Sequence, residues 1–193
     1  AGEIFGIAGV EGNGQRELVE ALMGMRAKRG GTVEIVGHDV TSANPREIIE
    51  LGVGHVPEDR TKHGLVGPFT ISDNLVLNQF RNAPFAKRGL RQDAAIAKHA
   101  RALVEQFDIR TPSAFVPVDT LSGGNQQKVI IARELNGVDR LLVVAQPTRG
   151  LDVGSIEFIH RRIVEMRDQG AGVLLVSADD MMVGMETAQA EAQ

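Results

Sequence analysis

An α/β fold with a helical insert is what this sequence predicts, on three observations. Residues 3–8 form a short apolar run that enters a glycine-rich turn and is followed by helical spacing, a strand–turn–helix opening. Two further short apolar runs, 141–144 and 173–176, bracket a helical segment at 156–166. Between the opening and these runs, residues 59–120 hold no clear buried strand.

In chain order, residues 3–8 read as a buried strand. Residues 15–25 place Leu18, Ala21, Leu22 and Met25 at i, i+3, i+4 and i+7, one face of a helix. Residues 32–36 read as a strand ending at the turn Gly37-His38-Asp39, 47–51 as a helix, and 54–56 as a strand stopped by Pro57. The insert's clearest element is an amphipathic helix over 91–107, with Ile96, Ala100, Leu103, Val104 and Phe107 on one face. Pro112 and Pro117 break that pattern. Phe158 and Ile159 are expected in the core and His160 on the surface. Residues 181–193 are rich in Ala, Glu and Gln without a good apolar face and are expected to fray. The expected division is thus 1–58 for the first part of the core, 59–120 for the insert, 121–180 for the rest of the core, and 181–193 for a tail.

Composition narrows the function. The 193 residues suffice for one ordinary domain, 42% of them are hydrophobic, and no apolar run approaches the ~18 residues of a membrane helix. No basic n-region with an apolar h-region opens the chain. A net charge of −4 argues against broad nucleic-acid binding, and with no Trp or Tyr any base stacking falls to Phe or His. Cysteine is absent, and the five histidines show no metal-ligand spacing, so no metal site is expected from them.

Two glycine-rich segments carry the chemistry. In Leu121-Ser122-Gly123-Gly124-Asn125-Gln126-Gln127-Lys128 a hydroxyl and two residues without Cβ precede an apolar helical run, which puts them at a helix N-terminus suited to an anion. Gly9-Val10-Glu11-Gly12-Asn13-Gly14-Gln15-Arg16-Glu17 sits between the first strand and helix and aligns with the phosphate-loop pattern G-x-x-x-x-G-K-[ST]. Its glycines are in place. Its charges are not: Gln15 takes the lysine position, Arg16 the Ser/Thr position, and Glu11 adds negative charge. Arg16 reads either as a substitute phosphate contact or as a solvated arginine.

Leu121 to Lys128 resembles the signature motif of ABC-type ATPases. With Val56-Pro57-Glu58-Asp59-Arg60 and Pro147-Thr148-Arg149-Gly150-Leu151-Asp152-Val153-Gly154, the chain resembles the C-terminal ATPase domain of tandem ABC proteins of bacterial sugar and nucleoside importers. Ala145-Gln146-Pro147, Phe85-Ala86-Lys87-Arg88-Gly89-Leu90 and Phe107-Asp108-Ile109-Arg110-Thr111 place it nearer the nucleoside branch.

The resemblance implies a P-loop NTPase core of ABC type with a helical subdomain, truncated at both ends. It implies ATP and Mg²⁺ as cofactors, a second ABC domain and membrane permease subunits as partners, and a peripheral place on the cytoplasmic face of the membrane. It implies that Ser122, Gly123 and their neighbours close over the γ-phosphate held by the partner domain, and that Gly150, Leu151 and Asp152 form the D-loop at the dimer seam. It also marks departures. Ala145 and Gln146 stand where the family has the Mg²⁺-binding Asp and the catalytic Glu, Ala178 where it has the switch His, and Glu58 where it has the Q-loop Gln. The expectation is therefore a degenerate site on this domain's own loop, with an intact signature serving the partner.

Two other readings compete: a self-sufficient ATPase in which Gln15, Arg16 and Gln146 substitute for the usual groups, and a non-transport ABC protein. The short insert and acidic balance argue against the latter. Arg81, Lys87, Arg88 and Arg91, with Phe80 and Phe85 nearby, read either as a surface for the permease or anionic lipid or as a solvated loop.

Overall fold

The computed structural model describes residues 2–10, 12–138 and 140–177. Four parallel strands form the central sheet in the order β1, β8, β7, β4: β1 (Ile4–Ala8), β4 (Val53–Val56), β7 (Leu141–Ala145) and β8 (Gly172–Ser177). The register pairs Ile4 with Val173, Leu141 with Gly172, and Val53 with Leu141.

Successive residues of a strand face opposite sides, so these apolar strands feed two layers. Leu142, Val144, Val173 and Leu175 pack with Val129 to Ala132 of α5 (Gly123–Leu135) and Ile159 and Ile163 of α6 (Val153–Asp168). Val143, Ala145 and Val176 pack on the other side with Val19 of α1 (Gln15–Leu22), Met23 and Ile48 of α2 (Pro45–Glu50). Because all four strands are parallel, the loops after β1, β4 and β7 emerge at one edge of the sheet, where β8 also ends.

The inward face of α1 is not the expected one. Leu18 and Met25 are 40% and 50% exposed, whereas Val19 and Met23 are buried. The helix starts right after Gly14, so the loop sets its phase, and it stops at Leu22 because Gly24 turns the chain with φ 69°. The predicted strand over 32–36 shrinks to β2 (Glu34–Ile35), which pairs with β3 (His38–Asp39). The turn between them is Val36-Gly37, both at positive φ (53° and 76°), as a two-residue hairpin of this twist requires.

The insert is less purely helical than expected. It opens with a π-helical turn (Arg60–Gly64) and a short α3 (Ile71–Asn74), then forms a hairpin of β5 (Ala86–Lys87) and β6 (Leu90–Arg91) before α4 (Asp93–Gln106). Asn74 is buried with its amide satisfied: Oδ1 accepts from Val66 N–H at 2.8 Å, and Nδ2 donates to the carbonyls of Val66, Phe69 and Thr70. Leu75, Ala100, Leu103 and Phe107 join the same core as the sheet, with Phe107 edge-on to Phe158 at 6.5 Å.

The basic cluster divides. Phe85 is buried with Val76 and Ile96, and Arg91 pairs with Asp73 and Asp93 at 2.5 and 2.6 Å, while Arg81 lies over the exposed Phe80 ring. His160 is half-buried, not on the surface, and its Nε2 is enclosed without a partner. Residues 181–193, Glu11 and Ala178 lie outside the described residues.

Candidate functional site

The loop after β1 turns through Gly12 (φ 93°) and Gly14 (φ 96°) into α1. Gln15 lies back across it. Its Nε2 donates to Val10 C=O at 3.0 Å, and its Oε1 accepts from Asn13 N–H at 3.2 Å. Contact with the loop is close: a Cβ on Gly9 would stand 2.7 Å from Gln15 Nε2. A primary amide donates and accepts at once, so one side chain engages both a carbonyl and an N–H of the loop. Arg16 does not reach over the loop. Its Nε donates to Glu20 at 2.8 Å, and its Nη2 stands 3.5 Å from His63 Nε2. The Arg16 hydrogen bond, with that of Arg26, holds the Glu20 carboxyl below its ordinary range. Glu17 is exposed on the first turn of α1.

At the neighbouring strand ends, Ala145 closes β7 as a core methyl, 7% exposed. Gln146 follows in the left-handed region (φ 47°), and its N–H donates to Val176 C=O at 2.9 Å, one step beyond the β7 ladder. Glu58, just past β4, accepts from Arg149 Nη1 at 2.7 Å. No group of three His, Asp or Glu able to hold a metal ion occurs among the described residues.

The second glycine-rich segment lies at the N-terminus of α5. Ser122 caps the helix: its Oγ accepts from Asn125 N–H at 3.5 Å and from Asn125 Nδ2 at 3.0 Å. Asn125 Oδ1 accepts in turn from Arg110 N–H at 2.8 Å, and Gln126 Nε2 donates to Leu121 C=O at 3.2 Å. A Cβ at either Gly123 or Gly124 would crowd a neighbouring side chain. A Cβ on Gly123 would stand 2.9 Å from the Arg60 guanidinium, and one on Gly124 would fall on Ser155 Oγ and 3.2 Å from the Asp152 carboxylate.

Asp152 is the N-cap of α6, accepting from Ser155 Oγ–H at 2.7 Å and Ser155 N–H at 3.0 Å. The hydroxyl first, and then the backbone N–H, hold its carboxyl below the usual range. Gly150 (φ 69°) and Leu151, whose N–H donates to Thr148 C=O at 3.2 Å, lead into this cap. Ser122, Gly124, Asn125, Arg110, Lys128 and Asp152 line a cavity of about 370 Å³. Lys128 is tied down there by Asp108, to its C=O at 2.7 Å and its Oδ2 at 2.8 Å. Another cavity, about 710 Å³, lies elsewhere, between α2, the end of α5 and residues 77–82.

The predicted residues thus fall into two groups. Gly9, Gly12 to Glu17, Glu58 and Gln146 gather at the edge of the sheet. Leu121 to Gln126 gather with Gly150, Leu151 and Asp152. What joins the groups was not read from sequence: Arg149 binds Glu58, and Arg60 Nη1 donates to Arg149 C=O at 3.2 Å. The available signal was the clustering of charge in Glu58-Asp59-Arg60 beside a strand end.

The ABC transporter family model matches residues 1–149. A guanosine import ATP-binding protein of Bacillus subtilis is 49% identical over 177 residues, covering 92% of this chain and 35% of that protein. A nucleoside import ATP-binding protein of Lactococcus lactis is 49% identical with the same coverage. A glucose import ATP-binding protein of Haloferax volcanii is 44% identical over 180 residues, 92% of this chain and 33% of its own length. The chain spans about a third of the length of these curated relatives.

Among solved structures, a nucleotide-free ATP-binding cassette from an ABC transporter superposes with a TM-score of 0.77 at 20% identity, over 95% of this chain and 74% of that one. A dimeric cassette in a post-hydrolysis state with ADP and Pi gives 0.76 at 24%, over 92% and 75%. These likenesses are of fold, and they agree with the parallel sheet. With the family match and the identity of its relatives, they lead to one conclusion: the chain belongs to the ABC transporter family of ATP-binding proteins.

Proposed function

We propose that this chain is the C-terminal of two ATPase domains on one polypeptide of a nucleoside or sugar importer, and that it works through its signature rather than through its own phosphate loop. In this reading Leu121 to Gln126 complete the ATP site of the partner domain, and Gly150 to Asp152 line the seam between them. Residues 1–58 and 121–180 form the ATPase core and 59–120 the insert. The permease subunits are the membrane partners, and the protein is peripheral on the cytoplasmic face. Nucleosides are the favoured substrate class, because the two relatives at 49% identity are guanosine and nucleoside import ATP-binding proteins. The relatives' length leaves room for a second domain of this size.

The observation that carries the reading is the Gln15 carboxamide. It occupies the Asn13 N–H and Val10 C=O of the loop, groups that a phosphate and a lysine would otherwise engage. Arg16 is committed to Glu20, and Ala145 offers no oxygen. These residues do not fit Mg-ATP at this domain's own loop. Losing the lysine and the metal ligands removes charge-assisted contacts of roughly 1.5–3 kcal/mol each, together about 4 kcal/mol or a thousandfold in affinity. The second glycine-rich segment keeps what an anion needs: a helix N-terminus, a hydroxyl and two residues without Cβ.

The test is steady-state phosphate release by the full protein with its permease. Ser122→Arg should abolish most of it, since signature donors acting on a charge-developing state contribute roughly 2–4 kcal/mol each by analogy with oxyanion-hole donors. Gln15→Ala should change it little. Equal damage by the two variants would overturn the division of labour.

A further inference from the structure

We propose that Arg60 is a positioning residue, the clasp that sets the signature segment against the core of the domain. The inference rests on the reading of Ser122 to Gln126 given above. Arg60 opens the π-helical turn that links β4 to the insert. Asp59 fixes the backbone there: its Oδ1 accepts from Thr61 N–H at 3.1 Å, Thr61 Oγ1–H at 2.8 Å and Lys62 N–H at 3.0 Å. From this anchored start the guanidinium crosses to two other segments. Nη1 donates to Arg149 C=O at 3.2 Å, on the loop between β7 and α6. Nη2 stands 2.9 Å from the position of a Gly123 Cβ, so the guanidinium lies against the first residue of α5.

Arg149 returns to Glu58 at 2.7 Å, two residues before Arg60. The result is a closed ring: Glu58, the backbone to Arg60, the Arg60 guanidinium, the Arg149 carbonyl, and the Arg149 side chain back to Glu58. The ring joins the end of β4, the start of the insert and the loop after β7, and the first turn of α5 rests on it. A positive charge at a helix N-terminus opposes the helix dipole, and Arg60 Nε is enclosed without a hydrogen-bond partner. The arginine acts there through its geometry: one nitrogen of its planar fork holds the Arg149 carbonyl while the other lies against the first turn of α5, where a lysine offers one point of contact.

The experiment uses the full importer, with phosphate release measured per correctly folded protein and ATP varied. Arg60→Ala should lower the maximal rate about 10- to 100-fold, the scale of a misplacement near 1 Å. The ATP concentration for half-maximal rate should stay within about threefold, because the partner's loop binds the nucleotide first. Arg149→Met should give the same split, and the double variant should be no worse than Arg60→Ala, as expected for members of one ring. Arg60→Lys should recover only a part of the rate. A rate per folded protein unchanged in Arg60→Ala, or fully restored in Arg60→Lys, would overturn the proposal. Ser122→Arg in matched preparations separates the two ideas. If Ser122→Arg is inactive while Arg60→Ala is not impaired, only the clasp fails. If Ser122→Arg is fully active, the signature reading fails as well.

Discussion

Breaking the buried ion pair of α5 should destabilise the protein more than any change at the exposed loops. Arg133 Nε and Glu134 Oε1 are 2.6 Å apart, with side chains only 6% and 8% exposed. The pair is also a junction. Glu134 Oε2 accepts from His55 N–H of β4 at 3.1 Å, and Arg133 Nη1 donates to Asn74 C=O at the end of α3 at 3.3 Å. Helix α5 is thereby pinned to β4, the strand leading to Glu58, and to α3.

Glu134→Ala leaves the Arg133 cation buried and the His55 N–H unpaired. Breaking one side of a buried pair costs about 3–5 kcal/mol. At about 2–4 °C per kcal/mol for a chain of this size, Tm should fall by about 6–20 °C. The double variant Arg133→Met/Glu134→Leu removes both charges and should recover about 2 kcal/mol of the loss, leaving about 1–3 kcal/mol for the orphaned His55 amide and Asn74 carbonyl. The assay is urea and thermal unfolding followed by far-ultraviolet circular dichroism, on the single and double variants. A cost below about 1 kcal/mol for Glu134→Ala, or a double variant less stable than the single, would refute the assignment of this pair as a desolvated junction.

Other outcomes follow from the same geometry. The chain alone should bind Mg-ATP with a dissociation constant of about 1 mM, given the missing charge-assisted contacts; Mg²⁺-dependent binding at low micromolar levels by calorimetry would contradict this. Gly124→Ala should lower Tm by displacing Ser155 Oγ from Asp152, and Ser155→Ala should remove most of that penalty; equal penalties in both backgrounds would show that the two loops do not meet there. The Asp59 carboxyl is held down to about 2 by the Lys62 N–H and the Thr61 hydroxyl. Its folded-state value lies below the unfolded value, so its contribution to stability is present above about pH 4 and is lost as pH falls through about 2. A carbon-13 titration of Asp59 with a midpoint near its ordinary value would refute the cap.

The sequence alone determined the fold class and the places where backbone could approach a phosphate. Both rest on local chemistry: short apolar runs make strands, and glycines between a strand and a helix make a loop at the helix N-terminus. The glycine-rich segment before α5, the loop after β1 and the chain after β7 were legible as segments because each is contiguous. The inward face of α1 was not, because Leu18 and Val19 are equally apolar and only docking on the sheet selects Val19. The hairpin at Ala86–Lys87 and Leu90–Arg91 was also hidden, since two-residue strands carry no period.

At the site, sequence showed that Gln15 replaces a lysine, but not that its amide would turn back onto Asn13 and Val10. That outcome depends on the loop's three-dimensional curvature. The links Arg149 to Glu58 and Arg60 to Arg149 span 91 and 89 positions. No local pattern encodes such pairs. They exist because parallel strands bring the loops after β4 and β7 to one edge of the sheet, and there side chains distant in sequence become neighbours.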